Sequence, residues 1–563
     1  MRTAAILLLI PLILTTASCG EKQIADLILK NGKVITIDRL NPRAQAVAVK
    51  GNLILAVGSN GEIEKYLKPG VTKVLDLQGK MVVPGFNDAH IHFFGAGAAL
   101  EVLNLAGIAN YDRMTEKVAA RVREAEPGEW VFGRGWDHTT IPGQAWPTKE
   151  VIDKVSPDNP VMLHRIDGHS MLVNSVILKQ FDITADTPDP PGGTIVRDPS
   201  TGEPTGVLQE NAMGLVEKPE ITPEENRQTK RRQLKLALGQ AAECGVTSIH
   251  HISGDGEYFE ELQQKGELTL RVYLCQRLTD DPARLESYKK LKEKYTVNPL
   301  IKFGALKAFM DGTLGSQTAA LFEPFSDKPS TSGLLTMPVE KMEKLVLAAD
   351  REGFQVAIHA IGTQGNHLVL DVCEKVMEVN GKRDSRHRIE HASILIKEDI
   401  PRFAELGVIA SYQPTFCATD QLFAEDRLGH QRCRYAYAWR SVLSAGGRIA
   451  FGTDCAVEPM DPMEGLYAAV SRKDRAGGED DGWIPEEKLT MEEAIELYTL
   501  GSAYASFEEN IKGSIEAGKL ADMVVLSQDL MQLPENRIMK TEVVYTVFDG
   551  RIIYENTGLS GTL

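Results

Sequence analysis

The strongest signal in this chain is the stretch Val82-Val-Pro-Gly-Phe-Asn-Asp-Ala-His90-Ile-His92. A short apolar run stops at a Pro-Gly pair, and two histidines follow it two positions apart. Residues two apart on an extended chain face the same way, so His90 and His92 should point to one side. Two imidazoles at one strand end commonly bind a divalent metal ion. The pair is too short to identify a site alone, so further ligands are required.

Downstream of this stretch, short apolar runs alternate with helical patterns, which is typical of a parallel α/β architecture. Helical segments fit between most of the runs, for example 342–351 and 400–406. We therefore expect a (β/α)8 TIM barrel, of the α/β class, over residues 85–512. The eight candidate strands are 81–85, 246–250, 270–274, 301–307, 355–358, 387–391, 408–411 and 449–452.

The two ends of the chain have a different pattern. Residues 24–84 and 513–560 alternate short apolar runs with turn signals, including Asn-Gly and Gly-Asn pairs typical of hairpins. We expect the two segments to pair as one small β-sandwich. About 160 residues separate the first two barrel strands, far more than an ordinary loop. Residues of about 105–235 should therefore form an insertion over the barrel mouth.

Further candidate ligands follow the later strands. His359, His391 and Asp454 each stand at the predicted carboxyl end of a strand, where the active sites of such barrels form. Taken singly, each is more often a strand-end cap or a hydrogen-bonded core residue. Together with His90 and His92, they make four histidines and a carboxylate at one end of a barrel. That set suits zinc or a similar divalent ion.

Lys307 is the unusual member of the group, because it ends the fourth predicted strand. Lysine normally extends to water. Burial and nearby cations in a metal cleft should lower its pKa, and the neutral amine could then add carbon dioxide to form a carbamate. Spacing alone leaves open an uncarboxylated Lys307 beside one metal ion or in an ion pair.

The complete pattern resembles the amidohydrolase superfamily and, within it, the amidohydrolase-3 branch that includes relatives of N-substituted formamide deformylase. The likeness runs from about residue 24 to 556 and is specific for the family, though not for a substrate. The stretches that carry it are Val83-Pro-Gly-Phe-Asn-Asp-Ala-His-Ile-His92, Lys307-Ala-Phe-Met-Asp-Gly-Thr-Leu-Gly-Ser-Gln-Thr-Ala319, His359-Ala-Ile-Gly362, Arg388-Ile-Glu-His391-Ala, Gly452-Thr-Asp454 and Gly513-Ser-Ile-Glu-Ala-Gly-Lys-Leu-Ala-Asp522-Met-Val-Val-Leu.

The resemblance implies a ligand set and its roles. His90, His92 and Asp454 would bind the more buried metal ion, His359 and His391 would bind a second, and a carboxylated Lys307 would bridge them. Asp454 would also take a proton from the attacking water and deliver it to the leaving nitrogen.

Two further positions bear on this set. Relatives commonly have Asp where this chain has Thr363, which changes the group expected to orient His359. His169, in a segment that also resembles the branch, is a candidate for contact with the substrate or else a structural histidine.

Three functions are compatible with these residues. The first is metal-dependent hydrolysis of a C–N bond in a small amide or formamide. The second is hydrolysis of an ester, lactone or phosphoester at the same site. The third is a lipid-anchored binding protein with an inactive barrel, which the complete ligand set disfavours. The oligomeric state is left open, with a homodimer as one option.

The composition excludes other classes of protein. Hydrophobic residues make up 43% and charged residues 25% of the 563 residues, which is ordinary for a globular protein. The chain has 62 Lys and Arg against 78 Asp and Glu, a formal net charge of −16. That balance argues against a broad nucleic-acid-binding face.

Residues 1–19 resemble an export signal. Arg2 precedes an apolar run over 4–14 that is too short to span a bilayer comfortably. Thr16-Ala-Ser-Cys19 then resembles a bacterial lipobox, in which Cys19 becomes the lipidated first residue. An ordinary signal peptide with a coincidental cysteine is the alternative. We expect an exported protein anchored to the bacterial cell envelope by its lipid alone.

Overall fold

The computed structural model describes residues 23–105, 107–136, 138, 141, 143, 145–165, 170–191, 193–217, 222–315, 317–477 and 481–560. Among these, no helix has the length and apolar character needed to span a membrane. The strands of this part, in chain order, are β1 (Leu27–Lys30), β2 (Lys33–Ile35), β3 (Arg43–Ala44), β4 (Ala46–Lys50), β5 (Leu53–Gly58), β6 (Lys73–Asp76), β7 (Met81–Pro84), β8 (Phe86–Ile91), β9 (Leu103–Asn104), β10 (Val131–Trp136), β11 (Val161–Arg165), β12 (Ser170–Val173), β13 (Gly193–Arg197), β14 (Pro204–Glu210), β15 (Val246–His251), β16 (Arg271–Arg277), β17 (Ile301–Phe309), β18 (Gln355–Ala360), β19 (Arg388–His391), β20 (Ile409–Tyr412), β21 (Arg448–Phe451), β22 (Met523–Leu526), β23 (Val543–Phe548) and β24 (Arg551–Glu555).

The helices mostly follow the strands of the central sheet. The longest, over residues 223–243, begins with a capping box between Thr222 and Glu225 and with Pro223 in its first turn. The α-helices of the described residues are α1 (Asn60–Glu64), α2 (Phe93–Glu101), α3 (Tyr111–Glu124), α4 (Glu150–Asp153), α5 (Ser175–Gln180), α6 (Pro223–Glu243), α7 (Gly256–Gln264), α8 (Pro282–Tyr295), α9 (Val339–Arg351), α10 (Thr363–Asn380), α11 (Ile400–Leu406), α12 (Pro414–Asp420), α13 (Ala424–Leu428), α14 (Trp439–Ser444), α15 (Pro462–Ser471), α16 (Met491–Glu496) and α17 (Ser502–Ala505).

Eight parallel strands form the central sheet, in the order β21-β20-β19-β18-β17-β16-β15-β8. Strands such as β15 and β18 are buried along their whole length, as expected where helices cover one face and the barrel interior the other. Backbone hydrogen bonds connect the two end strands at the mouth: Asp454 N–H donates to His90 O at 2.7 Å, and His92 N–H to Cys455 O at 2.7 Å. The predicted TIM-barrel fold is confirmed.

The first barrel strand lies later in the chain than we predicted. The run 81–85 was expected to be that strand, but β7 pairs with β22 and β2 in a different sheet, and β8 begins the barrel. Gly85 separates the two strands, and its N–H donates to the carbonyl of Asp522. Local hydropathy does not distinguish them because both strands are fully buried.

The terminal segments share one core. A six-stranded sheet in the order β24-β23-β22-β7-β2-β3 contains strands from both ends of the chain, and a four-stranded sheet has the order β5-β4-β1-β6. Val47 and Val82 from the first segment are buried in one apolar cluster with Met523 and Val544 from the second. Strands 440 residues or more apart in sequence are thus held by the same hydrophobic contacts.

The region between the first two barrel strands has a sheet of its own. Its order is β13-β14-β12-β11-β10-β9, and two apolar clusters lie against it. Trp136 is buried in one of these clusters and donates from its indole to the carbonyl of Leu163 at 2.8 Å, so it fills a core rather than lining a pocket. The following helix, α6, packs instead on the barrel through Leu234 and Ala237.

Candidate active site

His90 and His92 lie at the carboxyl end of β8. The imidazole of His90 is buried, whereas the side chain of His92 is 39% exposed at the mouth. Their Nε2 atoms both lie 3.5 Å from Oδ1 of Asp454, which follows β21 across the barrel closure. The His-x-His spacing and the closure of the barrel therefore direct three side chains to one point.

The opposite ring nitrogen of each of these histidines is held by another side chain. Nδ1 of His90 lies 2.5 Å from Oε2 of Glu390, and Nδ1 of His92 lies 2.6 Å from Oγ of Ser253. A proton on Nδ1 leaves the lone pair of Nε2 available as a ligand. Glu390 is itself paired with Arg388 inside the barrel, where both side chains are fully buried.

His359 and His391 come from adjacent strands. The register of β18 and β19 places Ala360 beside His391, and the two imidazole centroids are 4.5 Å apart. His391 also lies 5.1 Å from the ring of His90. Nε2 of His359 is 3.0 Å from the carbonyl oxygen of Gly312, so Nδ1 is the nitrogen left to coordinate.

Hydrogen bonds connect the residue before Asp454 to the first barrel strand. Thr453 donates to Asp88 through its N–H at 3.0 Å and its hydroxyl at 2.5 Å, and the N–H of His90 donates to the same carboxylate at 3.1 Å. Asp454 and His391 have positive φ angles of 58° and 74°. Non-glycine residues in this region cost of order 1–3 kcal/mol each, and such strain concentrates at functional sites.

Lys307 is buried at the end of β17, directed at the same cavity. Its Nζ has no hydrogen-bond partner among the described residues and lies 4.6 Å from the ring centroid of Phe309. Burial lowers the pKa of Lys307 to about 8, although the charges of Glu390 and Asp454 oppose the shift. Burying a protonated amine without a hydrogen-bond partner costs free energy. The environment of Lys307 therefore favours the neutral amine.

The donor set fits a divalent cation. Ligand atoms of His90, His391 and Asp454 lie within 4.8 Å of one another. Two ligands that are each about 2.1 Å from a tetrahedral zinc ion lie about 3.4 Å apart, close to the 3.5 Å from Asp454 to His90 and to His92. Oδ1 of Asp454, like the amine of Lys307, lacks a hydrogen-bond partner among the described residues. His92, His359 and Lys307 border the same cavity.

Burial dominates the electrostatics of these groups. It lowers the pKa of His90 to about 4, of His359 to about 3, and of His391 well below its usual value, so the imidazoles are neutral near pH 7. It raises the pKa of Asp454 to about 7, although the cationic Lys307 opposes this. Neutral imidazoles beside a carboxylate are the ligand types that zinc prefers.

The groups nearest to the ring of His359 come from the segment after β17. Asp311, buried after β17, accepts hydrogen bonds from the N–H groups of Ile361 and Gly362 at 3.0 and 2.8 Å, and its Oδ1 lies 3.8 Å from Nε2 of His359. Thr363 instead accepts a hydrogen bond from Phe322 N–H at 3.2 Å. Asp311 therefore fixes the loop that follows His359, and the Gly312 carbonyl contacts the imidazole itself.

The cavity above these side chains measures about 400 Å³ and is mainly apolar, with Leu314, Phe416, Phe423 and Val457 in its walls. A neighbouring cavity of about 620 Å³, which includes Arg277, meets it at three shared residues, His92, Lys307 and Phe309. The mouth is large enough for a small organic molecule.

Two predicted positions lie outside the described residues. His169 and Cys19 belong to segments that are not described. His250, which the family pattern does not use, lies inside the barrel with Nδ1 2.7 Å from Nη1 of Arg388. Sequence reasoning missed the supporting roles of Glu390 and Asp88, although both lie within quoted motifs, because a motif does not reveal which strand a side chain will face.

Comparison with known proteins gives a consistent picture. A family model described as "Amidohydrolase family" matches residues 73–554. Protein LONG AFTER FAR-RED 3 of Arabidopsis thaliana is 35% identical over 94% of this chain and 92% of its own length. N-substituted formamide deformylase of Arthrobacter pascens is 30% identical over 95% and 99%. The crystal structure of an uncharacterized metal-dependent hydrolase from Pyrococcus furiosus superposes with a TM-score of 0.69 at 28% identity, covering 90% of this chain and 100% of that one.

Proposed function

The chain belongs to the amidohydrolase family, and on that premise we propose that it is a metal-dependent hydrolase that cleaves the C–N bond of a small amide or formamide. One observation carries the proposal: Oδ1 of Asp454 lies 3.5 Å from Nε2 of both His90 and His92, with the unpartnered amine of Lys307 on the same cavity. The similarity to a formamide deformylase over nearly the whole chain supports the choice of bond.

His90, His92 and Asp454 would hold the more buried cation, and His359 with His391 would hold a second. A divalent ion such as zinc lowers the pKa of coordinated water and polarises a carbonyl oxygen. Glu390 and Ser253 keep the Nε2 atoms of His90 and His92 directed inward. Two metal ions are the expected complement if Lys307 is carboxylated, and one if it is not.

Asp454 would move the proton in this proposal. Its carboxylate can accept a proton from the attacking water and deliver it to the amide nitrogen, which otherwise leaves poorly as an anion. Phe416 and Phe423 form apolar walls of the cavity in which this exchange would occur.

Lys307 would bridge two cations if it were carboxylated, and its position on the cavity supports this role. Its neutral amine attacks carbon dioxide, a C–N bond forms, and the nitrogen releases one proton. The buried position and the lowered pKa of Lys307 favour the neutral amine that this step needs.

The proposal is tested by metal analysis and a substrate panel. We expect the purified protein to bind one or two zinc equivalents and to hydrolyse N-substituted formamides, with activity lost to a chelator and restored by zinc. His90→Ala should lose metal and turnover together. His430→Ala is the matched control because that imidazole is 85% exposed and lies on the short helix after α13.

Two results would contradict the proposal. Faster turnover of esters, lactones or phosphoesters than of any amide would assign a different bond at the same site. A full metal complement with no turnover across the panel would favour a binding protein.

We further propose that the chain is exported and anchored through Cys19. The apolar run followed by Thr16-Ala-Ser-Cys19 supports this, and the candidate ligands all lie beyond residue 80. Wild-type protein should partition into detergent, and Cys19→Ala should abolish lipid labelling while a chain starting near Gly20 retains metal and activity. Unchanged labelling of Cys19→Ala would refute the anchor.

A further inference from the structure

One segment forms a wall of the active-site cavity that the sequence motifs did not single out. It follows β20 and comprises α12 and the turn after it, residues 414–423. Phe416, Asp420 and Phe423 from this segment line the cavity together with the candidate ligands. Phe416 makes an edge contact with the imidazole of His391, with centroids 6.0 Å apart. The segment thus adjoins the site where a substrate would react.

Asp420 is the exceptional residue in this wall. The cavity is otherwise mainly apolar, and Leu314, Phe423 and Val457 line it together with Asp420. The hydroxyl of Tyr437 donates to Oδ2 of Asp420 at 2.6 Å and so holds the carboxylate in place. Burying a carboxylate in an apolar pocket is costly unless a cation or several donors accompany it.

No such cation lies nearby in the part of the chain that the structure describes. Within those residues, no ion pair joins a Lys, Arg or His nitrogen to the carboxylate of Asp420 within 4.0 Å. The like-charged Glu458 adds to the effect of burial and raises the pKa of Asp420 further. Glu458 has its own partners, Arg475 at 2.5 Å and the hydroxyl of Thr419 at 2.6 Å. Burial accordingly raises the pKa of Asp420 to about 7. The pocket therefore contains an acidic group whose charge no described residue balances.

We infer that Asp420 is a specificity-determining residue that recognises an ammonium group on the apolar substituent of the substrate. The aromatic and aliphatic walls would enclose the carbon part of that substituent, and Asp420 would accept a charge-assisted hydrogen bond from its far end. The substrate class is then an acylated or formylated apolar amine that carries a second, cationic nitrogen. This inference rests on the proposed function, because it deepens the substrate class of the same site.

The test uses a matched pair of substrates and the zinc-loaded full chain. One is N-benzylformamide with a para-aminomethyl group, and the other carries a para-ethyl group of similar size without charge. We expect the wild-type protein to favour the cationic compound in kcat/KM. Asp420→Asn keeps an acceptor for Tyr437 but removes the charge, and should reduce that preference by roughly 10- to 100-fold.

The control is Asp426→Asn, which makes the same change on α13, where the side chain is exposed. It should leave both kcat/KM values unchanged. Metal content and melting temperature of both variants verify that they are folded. Dissociation constants of the two compounds, measured by calorimetry, give a readout that does not depend on turnover.

The outcomes separate the two proposals. If neither compound is hydrolysed but Asp420→Asn still weakens binding of the cationic one selectively, the specificity inference stands and the formamide reaction fails. If both compounds are hydrolysed and Asp420→Asn affects them equally, the reaction stands and the inference is overturned. Equal binding of the two compounds by the wild-type protein would also overturn it.

Discussion

Nδ1 of His90 lies 2.5 Å from Oε2 of Glu390, two residues that are 300 positions apart in the chain. Both are fully buried, and Arg388 pairs with the same carboxylate from within the barrel. The contact fixes which nitrogen of His90 faces the cavity. It also makes Glu390 part of the site without placing it near a substrate.

We predict that Glu390→Gln lowers metal occupancy and kcat together, by roughly 10- to 100-fold, the usual effect of losing a residue that orients a metal ligand. The change also leaves Arg388 as a buried cation without its carboxylate, so the melting temperature should fall. Metal analysis, kinetics and calorimetry measure the three effects. Full zinc content with unchanged turnover would show that the contact does not orient His90.

Asp454→Asn should separate proton transfer from metal binding. The amide oxygen can still coordinate weakly, but it cannot accept a proton, so much of the metal should remain while kcat falls by roughly 100-fold or more. Steady-state kinetics at matched zinc occupancy make the comparison. Full activity in this variant would require another base, and His169 would be the first to test.

Lys307→Ala should remove the proposed ligand shared by the two metal ions and leave the proton acceptor, Asp454, in place. We expect metal occupancy to fall from two ions toward one, and we expect acetate or bicarbonate to restore part of the activity by occupying the gap. Zinc titration with and without added carboxylate is the measurement. If the variant kept all its metal and turnover, a single-ion site at His90, His92 and Asp454 would replace the two-ion proposal.

Gly452→Ala should disturb the barrel closure. A Cβ at this position would lie 2.5 Å from the backbone nitrogen of His90 and 2.7 Å from Oδ1 of Asp88. The expected cost is about 1–3 kcal/mol of stability, with reduced zinc affinity because Asp454 is displaced. Gly239→Ala is the control, since nothing lies within 4 Å of its added Cβ in helix α6. That substitution should be neutral or slightly stabilising.

Stability should depend on pH through Asp350, away from the metal site. Burial would raise its pKa, but hydrogen bonds from His387, Asn380 and Arg383 outweigh this and lower the pKa to about 2. A carboxyl whose pKa is depressed on folding stabilises the fold above its unfolded pKa of 3.8, and this contribution is lost as the pH falls toward 2. The wild-type melting temperature should exceed that of Asp350→Asn more at pH 6 than at pH 3. An equal difference at both values would refute the linkage.

The amino-acid sequence was sufficient to predict the barrel and most of the candidate metal ligands. Alternating apolar runs and helical patterns are local signals, and they located seven barrel strands close to their observed positions. The His-x-His pair, Lys307, His359, His391 and Asp454 were identifiable because parallel strands bring their carboxyl ends to one edge whatever their separation in sequence. The position of the first strand was wrong by one segment, since β7 and β8 are equally apolar and only their pairing partners differ.

The contacts that assemble these residues into a site became visible only in the tertiary structure. Glu390 contacts His90 because the closed barrel directs both side chains, one from β19 and one from β8, into its interior. No local sequence pattern contains this relationship. Asp311 lies beside His359 because the loop after β17 reaches the end of the neighbouring strand β18. Asp420 became a candidate for recognition only when α12 was seen to face the cavity. Ion pairs and hydrogen bonds form between groups that are close in space. Which residues pair therefore depends on how the chain packs and not on their spacing in the sequence.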